Sequence, residues 1–275
     1  MTGAAAAATH ALSVDVEEWF QVEALRPFVA RADWPRLESR VEPAVRRLLD
    51  LLERRGVRAT FPVLGWVAER RPRLVAEIAA RGHEVACHGW DHELATRQAP
   101  AEFRADIVRA RALLQEIAGA PVLGYRAPTW SIRAGNVWAL RAVAEAGFAY
   151  DSSFRTCAAA RRAGLPAVRG AAFFRCGIEG ARDLVEFPAS SVEVPGLPGL
   201  PIAGGGFLRL YPYAATAAFL RRSAPANVYL HPWELDPAHP RLASGVAAFR
   251  TYVGLGGFEA KLERLLAEFR FAPMA

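Results

Sequence analysis

The chain has 275 residues, 52% hydrophobic and 23% charged, the composition of a soluble globular protein long enough to bury a sizeable core. Its net charge of +6 comes almost wholly from arginine, and the arginines are scattered rather than gathered in a run, so nucleic acid is not an expected partner. Three cysteines without CxxC spacing exclude a disulfide framework and a cysteine-built zinc site.

In chain order, residues 1–10 read as a flexible tail. The opening MTGAAAAATHALSVDVEEW has no basic start and no sustained apolar stretch, and no run of about 18 apolar residues follows elsewhere. Neither a signal peptide nor a transmembrane segment is expected, and the expected compartment is the cytoplasm, with peripheral contact to the inner membrane compatible with that reading. Residues 11–16 (ALSVDV) read as a strand. Residues 42–56 read as a helix, with Val45, Leu48, Leu49 and Leu52 at helical spacing and Gly56 as its stop. A strand over 57–65, a helix over 72–82, a strand over 83–88 and a helix over 100–118 come next. They are followed by a strand over 121–128, a helix over 136–147 and strands over 148–153, 183–190 and 227–233. The stretch 155–182 has weak periodicity, and 192–206 is a Pro/Gly-rich loop. A closing helix over 257–273 is expected to bury Leu262, Leu265, Leu266 and Phe269.

About seven strands alternating with helices favour a parallel sheet, either closed into a barrel or open and doubly wound. No GxGxxG follows the first strand, which weakens a dinucleotide-binding reading. In a parallel barrel, functional groups collect at the C-terminal ends of the strands. Asp15, Glu17, His88, Arg126, Asp151 and His231 all fall there, with His92 just beyond His88. Strand alternation lets Asp15 and Glu17 point together while Glu18 points away. A helical turn beginning at His88 would put His92 on the same face. Two imidazoles and one carboxylate are three protein ligands with a fourth position open, the usual arrangement of catalytic zinc. Taken singly, each feature has an ordinary explanation: an incidental HxxxH, a solvated acidic cluster, a histidine in a turn, an arginine at a rigid strand exit before Ala-Pro. Taken together, at the strand ends of one β/α alternation, they describe a site.

The stretches SVDVEEW, HGWDH, RAPTW, YDSSF and YLHPW, in that order, resemble the five motif regions of the polysaccharide deacetylases, the NodB-homology carbohydrate esterases. The likeness spans roughly residues 11–233. ATFPVLGWVAE, AGFAYDSS and VYLHPWELDPAHPR are further similar to a subgroup linked to exosortase and exopolysaccharide gene clusters, which carries a C-terminal extension like residues 234–275 here. The resemblance implies a distorted (β/α)7 barrel with a C-terminal helical extension packed on the same domain. It also implies metal-dependent removal of acetyl groups from a polysaccharide or oligosaccharide, with zinc as the divalent metal. His88 and His92 would be metal ligands, Asp15 the catalytic base, Arg126 its orienting partner and His231 the general acid. Asp151 would support the acid, and the Thr129 N–H would bind the oxyanion. The first motif departs from the family's adjacent aspartates, having Asp15-Val16-Glu17, and strand alternation makes Glu17 the best third ligand. The fourth motif has Ser152 and Ser153 where a tryptophan often stands. Cys87 reads as a buried hydrophobe.

Trp90, Trp130 and Trp233 suit a sugar-stacking groove, although core packing would explain each equally well. Two other functions fit the same chain: a cytosolic amidase of the family that opens a small cyclic amide or ureide, and a non-catalytic carbohydrate-binding protein. A closed pocket above His88 would favour the amidase, and an open groove a polymer. Oligomeric state is not legible in the sequence.

Overall fold

The computed structural model describes residues 8–168, 171–192, 200–201, 204–222 and 225–275. Its strands are β1 (Thr9–Val14), β2 (Thr60–Val63), β3 (Glu84–Cys87), β4 (Gly124–Tyr125), β5 (Tyr150–Asp151) and β6 (Phe174–Arg175), then β7 (Val185–Glu186), β8 (Ser191–Val192), β9 (Leu200–Pro201), β10 (Asn227–Leu230) and β11 (Arg270–Ala272). Its helices are α1 (Val41–Arg54), α2 (Gly65–Arg70), α3 (Pro72–Ala80), α4 (Pro100–Ala118) and α5 (Trp138–Glu145), then α6 (Cys157–Arg162), α7 (Gly205–Leu210), α8 (Tyr213–Arg222), α9 (Gly245–Tyr252) and α10 (Phe258–Glu268).

The main sheet runs β10-β1-β2-β3-β4-β5-β7-β6, parallel throughout except for the last pair. The central strands are short apolar runs because helices cover them, and all four residues of β2 are buried. The sheet curls, and side chains link its two ends. Asn227 Nδ2, on β10, donates to the carbonyl of Phe187 just after β7 at 3.0 Å, and Asn227 N–H donates to Ser190 Oγ at 2.7 Å. This is the distorted (β/α)7 arrangement expected from the alternation of elements.

Helical periodicity fixes what each helix buries. On α4 the apolar Phe103, Ile107, Ala110 and Leu114 recur at three- and four-residue steps and all face the core. Pro100 opens that helix at the first position, where a missing N–H costs nothing. Val45, Leu48, Leu49 and Leu52 of α1 are wholly buried, and each such side chain contributes about 1.5–3 kcal/mol by leaving water. Glu18, which points away from Asp15 and Glu17, accepts the N–H groups of Arg40 and Val41 at 3.0 and 3.2 Å and so caps α1. Cys87 is a buried hydrophobe with its thiol pushed up by burial.

Several boundaries differ from the sequence reading. Thr9 and His10, placed in the tail by the sequence reading, pair with Arg270 and Phe271 in β11, and the rest of that stretch up to residue 7 lies outside the described residues. The closing helix stops at Glu268, where the chain turns into that strand; Leu262, Leu265 and Leu266 are buried, while Phe269 is partly buried against the core. Helices α2, α6, α7, α8 and α9 were not expected. Most of the Pro/Gly-rich loop, residues 193–199 and 202–203, lies outside the described residues. No helix among the described residues is long and apolar enough to cross a membrane.

Candidate active site

The two histidines of HGWDH meet, but not through a helical turn. His88 directly follows β3, its N–H donating to Val63 O at 3.0 Å, and the chain then reverses through Gly89 at φ +77° and His92 at φ +60°. A left-handed histidine is strained by roughly 1–3 kcal/mol, a cost that surrounding contacts must offset. The loop places the rings 5.5 Å apart, both buried.

Glu17 closes the group. Ligand atoms of Glu17, His88 and His92 lie within 4.8 Å of one another, and Glu17 Oε2 is 2.9 Å from His92 Nε2. His88 donates from Nδ1 to Arg126 O at 2.8 Å, which leaves its Nε2 lone pair free for a ligand. Burial drives the His88 pKa down to about 4, so the imidazole is neutral at physiological pH, as a ligand must be. Burial alone would raise Glu17, but His92 and its hydrogen bond outweigh it and hold the carboxyl at about 2. Glu17 Oε1 accepts from Trp233 Nε1 at 3.1 Å, whereas the buried Oε2 has no hydrogen-bond partner apart from its ion-pair contact with His92. An under-partnered buried carboxylate oxygen beside two imidazoles fits a divalent cation that accepts nitrogen and oxygen ligands.

Asp15 is beside this group and belongs to a different network. Arg126 Nη1 donates to Asp15 Oδ1 at 2.6 Å and to Ser13 Oγ at 2.8 Å, while Nη2 donates to Ser152 Oγ at 2.9 Å. The serines in the altered fourth motif thus have definite work. Ser152 anchors the arginine, and Ser153 Oγ accepts the Ala127 N–H at 2.8 Å and donates to Asp151 Oδ1 at 2.6 Å.

His231 follows β10 with Nε2 3.8 Å from Glu17 Oε1 and 4.0 Å from Asp15 Oδ2. Its Nδ1 is 2.7 Å from Glu234 Oε1, and Arg209 Nε donates to Glu234 Oε2 at 2.6 Å. Burial would lower the histidine, but the Glu234 hydrogen bond and the charges of Glu17, Glu234 and Asp15 raise it to about 9. Neither Glu234 nor Arg209 was singled out from the sequence. The signal for Glu234 was present in HPWE, where an acidic residue three positions after the histidine can reach back to it; nothing local marks Arg209.

These groups open into one cavity of about 490 Å³. Asp15, Glu17, His88, His92, Thr129, Trp130, His231 and Trp233 all line it. Residues of α7 and the end of α9 form its far wall. Thr129 has φ +56°, a left-handed turn right after Pro128. Trp233 stacks on His231 at 5.1 Å, and Trp130 packs on Tyr229 at 4.2 Å. Trp90 lies elsewhere, with the Arg109 guanidinium 3.2 Å over its ring, in a shallower charged depression. Asp151 does not line the cavity and does not meet His231. It is paired with Glu186 at the end of β7, both carboxyls wholly buried and both raised, chiefly by burial.

Residues 35–150 match the polysaccharide deacetylase family, and residues 152–275 match a domain of unknown function, DUF3473. A peptidoglycan-N-acetylglucosamine deacetylase of Listeria monocytogenes is 40% identical over 73 residues, which are 26% of this chain and 15% of that protein. A chitooligosaccharide deacetylase of a Bradyrhizobium strain is 38% identical over 63 residues, 23% of this chain and 29% of its own. The chain therefore spans only a minor part of the curated relatives it matches. Among solved structures, a Mycobacterium smegmatis protein assigned as a polysaccharide deacetylase superposes with a TM-score of 0.62 at 23% identity, covering 98% of this chain and 88% of that one. That likeness is one of fold. Residues 35–150 are thus similar to a polysaccharide deacetylase domain, and the DUF3473 match follows directly from residue 152.

Proposed function

We propose that the protein is a metal-dependent hydrolase that removes N-acetyl groups from amino sugars of a polysaccharide, releasing acetate. The observation that carries this reading is the convergence on one cavity of a Glu-His-His ligand set, an arginine-bound aspartate and a glutamate-bound histidine. Glu17, His88 and His92 would hold the cation, which we take to be zinc; when bound it supplies Lewis acidity for the acetyl carbonyl and makes water nucleophilic near neutral pH.

The remaining chemistry belongs to the side chains. Asp15, fixed through Oδ1 by Arg126, has Oδ2 on the cavity side to take the proton of the attacking water. The Thr129 N–H is assigned to the developing oxyanion, an interaction that typically lowers such barriers by about 3–4 kcal/mol. An amine is too basic to leave unprotonated, and His231 Nε2–H provides the proton. Trp130 and Trp233 give the walls aromatic faces suited to sugar rings.

The names of the relatives support an N-acetylated sugar as substrate. At about 490 Å³ the cavity offers far more room than a small cyclic amide fills, and it suits a short segment or an end of a polymer. We take that polymer to be an exopolysaccharide. Cys87 and Cys176, both buried thiols, suit a reducing compartment and support a cytoplasmic location. The test is acetate release from N-acetylglucosamine oligomers and from partly purified exopolysaccharide, with and without a chelator. Release that stops with the chelator and returns with zinc is the expected result. Release indifferent to chelation, or none from any N-acetylated polymer, would overturn the reading.

A further inference from the structure

We infer that Glu234 and Arg209 are positioning residues that hold the Nδ1–H of His231, so that the proton the ring gives up to a poor leaving group is the one on Nε2; the inference rests on the deacetylase reading above. Neither residue lies in the stretch that matches the deacetylase family, which ends at residue 150. Support for the acid therefore comes from the DUF3473 region.

The geometry leaves His231 little freedom. Glu234 Oε1 accepts both the ring Nδ1–H at 2.7 Å and the backbone N–H of His231 at 3.0 Å. Trp233 stacks on the ring at an interplanar angle of 20°, and Tyr229 meets it edge-on at 89°. With Nδ1 committed, Nε2 is the nitrogen that faces Asp15 and Glu17 in the cavity.

That commitment requires Glu234 to be a carboxylate. A protonated Glu234 would donate to Nδ1 instead, leaving Nε2–H on a neutral imidazole, which is a weak acid. The side chain is wholly buried, where an isolated carboxyl takes up a proton. Arg209 prevents this, because its Nε reaches Glu234 Oε2 at 2.6 Å and it cannot deprotonate.

Arg209 is itself held by carbonyls at the C-terminus of α9 and just past it. Nη1 donates to Thr251 O at 2.9 Å and Val253 O at 2.6 Å, and Nη2 donates to Arg250 O at 3.0 Å. Gly254 permits the approach: it turns at φ +70°, and a Cβ there would sit 2.8 Å from Arg209 O. One chain of contacts thus runs from the end of α9 through Arg209 and Glu234 to the acid.

The test compares two substrates on the zinc-loaded, full-length protein. Chito-oligomer deacetylation expels an amine and needs an acid; 4-nitrophenyl acetate releases a stable phenolate and does not. Glu234→Gln should lower kcat on the oligomer about 100-fold or more, with KM, zinc content and the ester rate changed only a few-fold. Arg209→Lys keeps the charge but loses the fork, and should show the same selective loss in milder form. Equal losses on both substrates, or no loss on the oligomer, would overturn the inference. Imidazole nitrogen NMR of metal-free protein gives an answer that needs no activity. Nδ1–H should be present on His231 in the wild type and its signal displaced in Glu234→Gln; an Nε2–H neutral ring in the wild type would also overturn it. A wild type that releases no acetate would remove the deacetylase reading, while the NMR result would still decide how His231 is held.

Discussion

Asp15 Oδ1 lies 2.6 Å from Arg126 Nη1, and neither side chain is more than 2% exposed. A buried pair of this kind is costly to break from one side, because the partner is left charged and unsolvated. Arg126→Ala should therefore cost about 3–5 kcal/mol in a urea melt as well as abolish acetate release. Asp15→Asn removes the base but leaves Arg126 its bonds to Ser13 and Ser152. With the Arg126 charge left uncompensated it should lose stability, by up to about 3–5 kcal/mol, and at a temperature where it is folded kcat should fall about 100- to 10,000-fold. Substantial residual activity in that variant would remove Asp15 from the chemistry.

How far this site could be read from sequence depends on how local each feature is. Helix α4 was legible to the residue, because Pro100, the three- and four-residue apolar steps and Gly119 all mark it locally. The residue types of Asp15, Glu17, His88, Arg126 and His231, each at a strand end, were legible for the same reason. Helix α7 was not, because its glycine-rich start reads as a loop. The glycine at 204 is there for close approach, since a Cβ would fall 2.0 Å from the Tyr229 ring. The His88–His92 approach was anticipated, but its route through two left-handed residues was not, since a histidine at φ +60° is set by tertiary contacts. The same applies to Glu186, which meets Asp151 only because β7 pairs with β5. Arg209 also acts across a distance in the chain that no periodicity reports.

Glu17→Gln isolates the charge of the proposed third ligand. The amide oxygen can still accept from Trp233 Nε1, so packing should survive. Zinc affinity measured by calorimetry should fall more than about 100-fold, exceeding the 10- to 100-fold typical of losing a group that only supports a ligand. Zinc at about 100 times its dissociation constant should stabilise the wild type by roughly 2.7 kcal/mol and stabilise the variant hardly at all. Undiminished zinc binding in Glu17→Gln would mean that another carboxylate holds the ion.

Trp130 offers a test of the cavity wall. Its indole Nε1 is buried without a hydrogen-bond partner, and the ring is held against Tyr229. Removing that unpaired donor costs the folded state nothing, whereas the smaller ring gives a sugar less aromatic face on the cavity wall. Trp130→Phe should leave thermal stability close to wild type yet raise KM on oligosaccharides up to about 10-fold. Trp90→Phe, outside the cavity, should leave KM unchanged. Equal effects from the two substitutions would show that neither contacts substrate.

The Asp151–Glu186 pair gives a pH dependence with a definite sign. Burial raises both carboxyls, and the two also repel each other when both are ionised. Glu186 Oε1 accepts the N–H groups of Ser153 and Phe154 at 3.2 and 2.9 Å, and Ser153 in turn bonds Asp151. The pair therefore helps fix the loop that carries Ser152, one of the anchors of Arg126. A carboxyl whose folded pKa lies above its unfolded value binds its proton more tightly when folded. Its stabilising contribution is complete below the unfolded pKa, near 4, and is lost as pH rises through the folded value. Glu186→Gln keeps a hydrogen-bonding group without the charge, so its melting temperature relative to wild type should rise steadily between about pH 5 and pH 8. The Tyr125 phenol, the Arg126 guanidinium and the Cys176 thiol surround the pair, and none of them changes charge in that interval: burial holds the phenol and the thiol above their usual values, and a guanidinium stays protonated. A pH-independent difference between the two proteins would mean that the pair carries the same charge at both ends of the range and that Arg126 is held in place without it.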